Sequence, residues 1–319
     1  MYFKNLMKWM IMITIMVTIS SNFWFIYWLM MEMNMMMFIP IIKNNKLESC
    51  NSMITYFIIQ SFSSILFFIS SSMFVLNSSI YMEILMNIAV LIKIAMIPFH
   101  FWLISISEFL DYNSLFFILS WQKIIPLFIL SQIKMEISFF ISMISLIFSS
   151  IMIFNLKMMK KILIFSSISH LSWVTILIII SSNFWISYLI IYFMMIYPLI
   201  KILNKNNIMS IKSILTMKMT NSEKMSMIMI MMSLGGMPPF MGFMIKLLAI
   251  MIIIQHSSII MLIMVLSSLI NTFIYIRMLY PMLLLTNKTN MNINFFKTLK
   301  TFINNMIIIM TLIMMNLMI

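Results

Sequence analysis

Long apolar runs fill this chain, and polar residues come mostly in short breaks between them. Set against the ~20 mainly apolar residues that a transmembrane helix needs, the runs predict about eleven spans. They lie near 3–20, 22–42, 52–76, 80–103, 113–132, 137–155, 161–181, 184–203, 225–255, 258–284 and 301–319. Alternation of period two is absent, which argues against a β-barrel. Short turns such as Ser20-Ser21 and Ser181-Ser182-Asn183 imply antiparallel neighbours in a bundle. The expected fold is therefore an all-α polytopic membrane protein, one transmembrane domain over residues 1–319. The segment Ile104–Tyr112, with Glu108 and Asp111, is expected at the surface.

Loop lysines give this topology an orientation. With the N-terminus on side A, that side holds Lys4, Lys8, Lys43, Lys46, Lys157, Lys160, Lys161, Lys201, Lys205, Lys212, Lys218, Lys224, Lys288, Lys297 and Lys300. Side B holds only Lys134. Positive charge concentrates on the side of synthesis, so side A is that compartment.

Composition narrows the class. Hydrophobic residues make up 63% of the chain and charged ones 8%, with a mean hydropathy of +1.11. A soluble domain carries about a quarter charged residues. Soluble enzymes, nucleic-acid-binding modules and disordered tails are excluded. The net charge of +13 does not imply a nucleic-acid partner, because the lysines sit between apolar runs and form no aromatic-interleaved basic face. A lone cysteine, Cys50, leaves no internal disulfide and no cysteine-held metal or iron–sulfur site. The 45 Met, 3 Gly and single arginine, Arg277, match A/T-rich codons and a code in which ATA reads Met. That points to an A/T-rich mitochondrial genome, of an invertebrate. Lys4 and Lys8 lead straight into a span, so no cleavable targeting segment is expected. The matrix is then side A, with the N-terminus there and the C-terminus on the intermembrane-space side.

Four ionisable groups fall inside spans: Glu32, Lys93, Lys123 and Lys246. Each costs about 2.5–3.5 kcal/mol at a helix centre, so they must face the bundle interior, a partner or water. One reading is a buried Glu–Lys pair that only fixes packing. The other is a proton relay, in which a lysine near Glu32 gains or loses a proton as that carboxylate moves or is neutralised.

Backbone breaks accompany these groups. Pro98 has no amide for the carbonyl of Ile94, one residue from Lys93, and Pro126 likewise frees the carbonyl of Gln122, beside Lys123. All three glycines and two of the seven prolines lie within eight residues, in Gly235-Gly236-Met237-Pro238-Pro239-Phe240-Met241-Gly242. Lys246 follows about two turns after Pro239, or roughly 10 Å of helix. Helix breaks are expected at Pro98, Pro126, Gly235, Gly236, Pro238 and Pro239, making two spans discontinuous; a simple loop between short helices is the other reading of the glycine-rich one. Lys93 and Lys246 read as counterparts in the oppositely running fourth and ninth spans, the pattern of inverted repeats. His170, with Ser166 and Ser167 on its face, is either a core histidine or a relay member between Lys123 and Lys246. His100 and His256 are expected at interfaces. No dinucleotide, phosphate-loop or paired-histidine pattern occurs, so no cofactor and no metal are expected, and the chemistry left is translocation of a small ion.

Several blocks together resemble one family. They are Leu29-Met30-Met31-Glu32-Met33-Asn34, the run from Lys93 to Trp102, Trp121-Gln122-Lys123-Ile124-Ile125-Pro126, Lys160 through Trp173, and Leu234 through Lys246. In that order, over about residues 20–280, they resemble chain 2 of NADH–ubiquinone oxidoreductase, the mitochondrially encoded antiporter-like subunits of respiratory complex I. The resemblance implies an antiporter-like domain with inverted repeats in the proton-pumping membrane arm of the mitochondrial inner membrane. It implies that Glu32 pairs with Lys93 and that Lys123 and Lys246 continue a relay toward neighbouring subunits, driven by quinone reduction elsewhere. The implied partners are other membrane-arm subunits and lipids, with no redox centre and no direct NADH or quinone binding in the chain. Two places depart from the family: Phe154-Asn155-Leu156-Lys157 stands where a Gly-Gly pair is common, and Leu103-Ile104 where Pro-Glu is usual. A free-standing cation/proton antiporter and a purely structural spacer are the competing readings.

Overall fold

The computed structural model describes residues 2–43, 47–216 and 219–286. Among them every regular element is a helix: α1 (Tyr2–Ser20), α2 (Trp24–Ile42), α3 (Leu47–Leu76), α4 (Ile80–Ile94), α5 (Phe101–Ser107), α6 (Tyr112–Leu119), α7 (Trp121–Ile133), α8 (Glu136–Ile153), α9 (Met159–Ile179), α10 (Phe184–Lys205), α11 (Ile211–Thr216), α12 (Asn221–Gly235), α13 (Met241–Ile254) and α14 (Ser258–Thr286). Eight helical stretches are long and apolar enough to cross a membrane, with α6 and α7 together forming one of them. The expected spans 80–103 and 225–255 each appear as two helices meeting at a break. The expected span 301–319, and Lys46, Lys218, Lys288, Lys297 and Lys300, lie outside the described residues.

The described chain forms two compact units. The first holds residues up to Phe148 together with Ser167–Ser181, and the second holds Ser149–Ser166 and residues from Ser182 onward. In the first, α3 packs on α2 and α4, and α7 packs on α4. In the second, α12 packs on α10, α13 and α14. α9 supplies its first turns to one and the rest to the other; 94% of its apolar window is buried. Its apolar residues are spread around the helix among buried serines, Thr175 and His170, as in a helix enclosed by others.

The breaks follow from proline chemistry. α4 stops because Pro98 cannot give an amide to Ile94. The chain closes through Ala95 in the left-handed region, at φ 63°, with Met96 N–H donating to Leu91 O at 3.2 Å. α12 closes in the same way through Gly236, at φ 87°, with Met237 N–H donating to Met232 O at 3.1 Å. Both are helix ends in which a left-handed residue lets the next amide reach back five residues. Pro98, Pro238 and Pro239 lie in these breaks, beside Gly235 and Gly236. Pro126 corrects the expectation: it lies inside a continuous α7, and its span is interrupted instead at Ser120 (φ −117°, ψ −86°). Its missing amide costs α7 only the bond to Gln122, in the first turn.

The Ile104–Tyr112 stretch is only partly a surface segment. Glu108 and Asp111 are exposed, but α5 runs through its first residues and Ile106, Ser107 and Leu110 are buried. His100 also departs from expectation. It caps α5 as a helix-end residue yet is buried, with its Nδ1 3.2 Å from Pro98 O and its ring against Phe101. His256 is exposed.

Candidate functional site

In the first unit Lys123 reaches from α7 to the end of α4. Its buried ammonium donates to the carbonyls of Ile94 and Lys93. The Ile94 oxygen is the one that Pro98 leaves without a helical amide. The ammonium also lies 5.4 Å from the centroid of the Trp102 ring. The Trp102 indole N–H donates to the next carbonyl back, Ile92 O, at 3.1 Å. Three successive carbonyls at the end of α4 are thus taken by two side chains.

Lys93 turns its own side chain the other way. It lines a small cavity with Met31, Asn34, Met35, Tyr56, Gln60, Gln122, Ile125 and Pro126. Across this space Gln122 Nε2 donates to Asn34 Oδ1 at 3.1 Å, and Tyr56 Oη donates to Gln122 Oε1 at 3.3 Å. Glu32, half-buried on α2, accepts a hydrogen bond from the Ser64 hydroxyl. Its field reaches Lys93, but no Glu32–Lys93 ion pair within 4 Å exists among the described residues.

The second unit repeats the Lys123 arrangement with different parts. Lys246, buried on α13, donates to Gly235 O at 2.8 Å and Leu234 O at 3.3 Å. These are the carbonyls whose amide partners would be Pro239 and Pro238. In both units, then, a buried ammonium takes the two carbonyls that immediately precede a left-handed residue: Lys93 and Ile94 before Ala95, and Leu234 and Gly235 before Gly236. By its carbonyl partners Lys246 matches Lys123, while by its place on a broken span it matches Lys93. Two glycines make the second site possible. A Cβ at Gly236 would stand 3.0 Å from Lys246 Nζ, and one at Gly242 would run into the Ser233 carbonyl.

The electrostatics are those of a helix C-terminus. The end of a helix carries about half a negative charge and unpaired carbonyls, and a cation there gains up to about 2 kcal/mol in partly buried geometry. Neither Lys123 nor Lys246 has a carboxylate within ion-pair range among the described residues. A neutral amine also donates to a carbonyl, so these hydrogen bonds do not by themselves require a charged lysine.

His170 is buried on α9. Beside it in the same helix, Ser172 shares a 2.6 Å hydroxyl contact with Ser145 of α8. Sequence reasoning did not single out Ser64, Tyr56 or Trp102, read Gly242 only as part of the glycine cluster, and gave the side chains of Asn34 and Gln122 no role. Asn34 and Gln122 carried a usable signal, as carboxamides inside apolar spans beside Glu32 and Lys123. Ser64 carried none, being one serine among many.

Comparison with known proteins gives the family and the fold. The family described as NADH:quinone oxidoreductase/Mrp antiporter, TM, matches residues 21–271. NADH-ubiquinone oxidoreductase chain 2 of Rhipicephalus sanguineus is 46% identical over 296 residues, which are 91% of this chain and 95% of that one. The same-named protein of Anopheles gambiae is 31% identical over 90% of this chain and 88% of its own length. Among solved structures, a chain of respiratory complex I from Thermus thermophilus with bound aureothin has a TM-score of 0.78 at 15% identity, covering 88% of this chain and 71% of that one. A chain of the Mrp complex from Dietzia sp. DQ12-45-1b reaches 0.75 at 12% identity, covering 84% and 58%. Those two likenesses concern the fold alone. A family match over most of the length, with relatives aligned nearly end to end, means that this chain belongs to the NADH-ubiquinone oxidoreductase chain 2 family.

Proposed function

We propose that this chain is a proton-translocating subunit in the membrane arm of respiratory complex I, multi-pass in the mitochondrial inner membrane. It works among other membrane-arm subunits and lipids, and redox chemistry elsewhere in the complex drives it. The observation that carries the reading is the pair of buried ammonium groups, each seated on helix-end carbonyls that include a proline-freed one, with no carboxylate in ion-pair range among the described residues. Glu32, Lys93, Lys123, His170 and Lys246 are assigned the carriage of protons, and the chain itself holds no redox centre and binds neither NADH nor quinone directly.

The energies suit such a task. A mid-membrane charge costs about 2.5–3.5 kcal/mol. A helix C-terminus returns up to about 2 kcal/mol, and hydrogen bonds to a charged group each add about 1.5–3 kcal/mol. Charged and neutral lysine thus lie within a few kcal/mol of one another. Moving one charge through 100 mV takes about 2.3 kcal/mol, so changes of that size in a neighbour's charge decide which form prevails.

The N-terminus is assigned to the matrix and the C-terminus to the intermembrane space. Lysine placement supports this. Lys4 donates to Lys43 O at 2.8 Å, joining two lysine-rich segments at one end. Lys134 donates to Ser181 Oγ at 3.1 Å, joining two turns at the other.

The likeness to an Mrp complex favours a second reading, a cation/proton antiporter subunit outside any redox complex. Purification from native membranes separates them, since the complex I reading requires a peripheral redox arm alongside this chain. Substituting Lys246→Ala or Glu32→Gln then tests the relay. A pumping subunit loses coupled proton translocation in an assembled complex, whereas a spacer tolerates both changes.

A further inference from the structure

Aromatic pairs fix the register of α2 against α3. Phe38 meets Tyr56 with ring centroids 5.2 Å apart, and Trp28 meets Phe68 at 4.6 Å. Between these pairs the antiparallel register sets Ser64 opposite Glu32. Ser64 is fully buried, and its hydroxyl donates to a Glu32 carboxylate oxygen. The same hydroxyl stands 2.8 Å from Ser61 O, one turn back on its own helix. A serine hydroxyl carries one proton and two lone pairs. It cannot give that proton to both acceptors at once.

Ser61 O is not stranded by the choice, because it lies inside α3, where the Ile65 amide serves it. Glu32 is the partner whose chemistry changes. As a carboxylate it only accepts, and as a carboxylic acid it has an O–H to give. The other titratable groups on the helices around α2 are engaged elsewhere or distant. On α1, Tyr2 is exposed, Lys4 serves the carbonyls of Ile41 and Lys43, and Lys8 lies over the Phe117 ring. On α7, Lys123 is seated on the end of α4, and on α3 Tyr56 donates to Gln122. Glu48 and Cys50 stand near the start of α3, about four turns before Ser64. Lys93, on α4, acts on Glu32 through its field.

We propose that Ser64 is a positioning residue for proton transfer at Glu32, its hydroxyl serving both forms of that carboxyl. With Glu32 ionised, the Ser64 hydroxyl donates to it. When a proton binds a carboxylate oxygen, the new O–H donates to Ser64 Oγ, and the Ser64 proton turns to Ser61 O. Loss of the proton reverses both turns. Only hydroxyl protons rotate, no Ser64 bond breaks, and Glu32 keeps a partner in each state. The inference rests on the relay reading above.

Ser64→Ala removes the hydroxyl and leaves the helix backbone unchanged. A hydrogen bond to an ionised group is stronger than one to its neutral form, so its loss favours the protonated carboxyl. In the assembled complex the acid limb of the pH–rate profile for NADH-driven proton translocation should move up by about one unit, the difference between a charged and a neutral hydrogen bond. Ser64→Thr, which keeps the hydroxyl, should hold the parent limb, and a shift as large as that of the alanine variant would count against the proposal. An unmoved limb in Ser64→Ala, with Glu32→Gln abolishing translocation, overturns the role of Ser64 and leaves the relay standing. If Glu32→Gln pumps as the parent does, the relay through Glu32 fails and this inference with it. Should Ser64→Ala not assemble, Ser64→Cys decides, since a thiol is a weak donor and a weak acceptor. The same upward shift there supports the proposal, and the parent limb overturns it.

Discussion

Gly242 lies so close to Ser233 that a Cβ on it would stand 1.6 Å from the Ser233 carbonyl oxygen. This contact brings α13 back against α12 and lets Lys246, four residues on, reach the carbonyls at the end of α12. Gly242→Ala should therefore cost about 3 kcal/mol or more, at or above the top of the usual overpacking range, and deplete assembled complex. Gly235→Ala is the control. A Cβ there meets Thr272 and Tyr275 at 3.5 Å, ordinary contact distance, so assembly should stay near the parent level. Blue-native gels of the two variants check the contrast.

Gly236 tests the seat of Lys246 rather than the packing of the helices. It stands at φ +87°, and its Cβ would come within 3.0 Å of both Cδ and Nζ of Lys246. Gly236→Ala should slow proton translocation, while in a Lys246→Ala background it should add no further loss of rate. Residues that act through one another show such non-additivity. A full additional loss of rate in the double variant would mean that Gly236 acts independently of Lys246.

Trp102 holds the other seat. Trp102→Phe removes the indole N–H from Ile92 O and weakens the aromatic face beside Lys123. Ile92 O keeps the Ala95 N–H at 3.1 Å, so the loss is that of one hydrogen bond, about 0.5–1.5 kcal/mol; turnover should fall and heat inactivation should come earlier. Equal thermal inactivation of variant and parent would contradict the assignment.

At the membrane surface, Glu223 closes the start of α12. Its carboxylate accepts from the Thr220 N–H while the Thr220 hydroxyl accepts from the Glu223 N–H, a reciprocal cap. The Lys205 ammonium, 2.5 Å away, holds its carboxyl below the usual carboxylate range. A depressed folded-state value contributes stability above about pH 4.3, the ordinary glutamate value, and that contribution fades as pH falls through the folded value. Lys205 is largely exposed, so salt weakens the pair. Amide exchange in the first turn of α12 should quicken in acid, and in Glu223→Gln this acid dependence should disappear. Thr220→Ala should cost about 0.5–2 kcal/mol, as loss of such a cap does.

The helical fold was legible because bilayer physics is blunt: apolar runs of spanning length leave few other structures. The breaks at Pro98 and at Gly235 through Pro239 were legible for a similar reason, since proline and clustered glycine act locally. Pro126 misled because a proline near the start of a helix removes only one bond, and the span gave way at Ser120, which carries no such mark. Pairing Lys93 with Lys246 followed from sequence order. What the two sites share is a pair of carbonyls before a left-handed residue. One site fills them from a separate helix, α7, and the other from the second half of its own broken span. Period and spacing along one chain do not reveal which neighbouring helix supplies a side chain. The burial of His100 was hidden likewise, because a helix end inside a broken span does not lie at the membrane surface.

In the proposed relay, ammonium groups seated on helix-end carbonyls carry the protons. The most direct measurement is proton uptake per NADH oxidised by sealed vesicles holding the assembled complex with Lys123→Ala. Coupled uptake and quinone-linked NADH oxidation should fall at least about tenfold, a barrier change of roughly 1.4 kcal/mol. NADH oxidation by an artificial acceptor at the peripheral arm should continue at the parent rate. Parent-level proton uptake in a fully assembled Lys123→Ala complex would contradict the account.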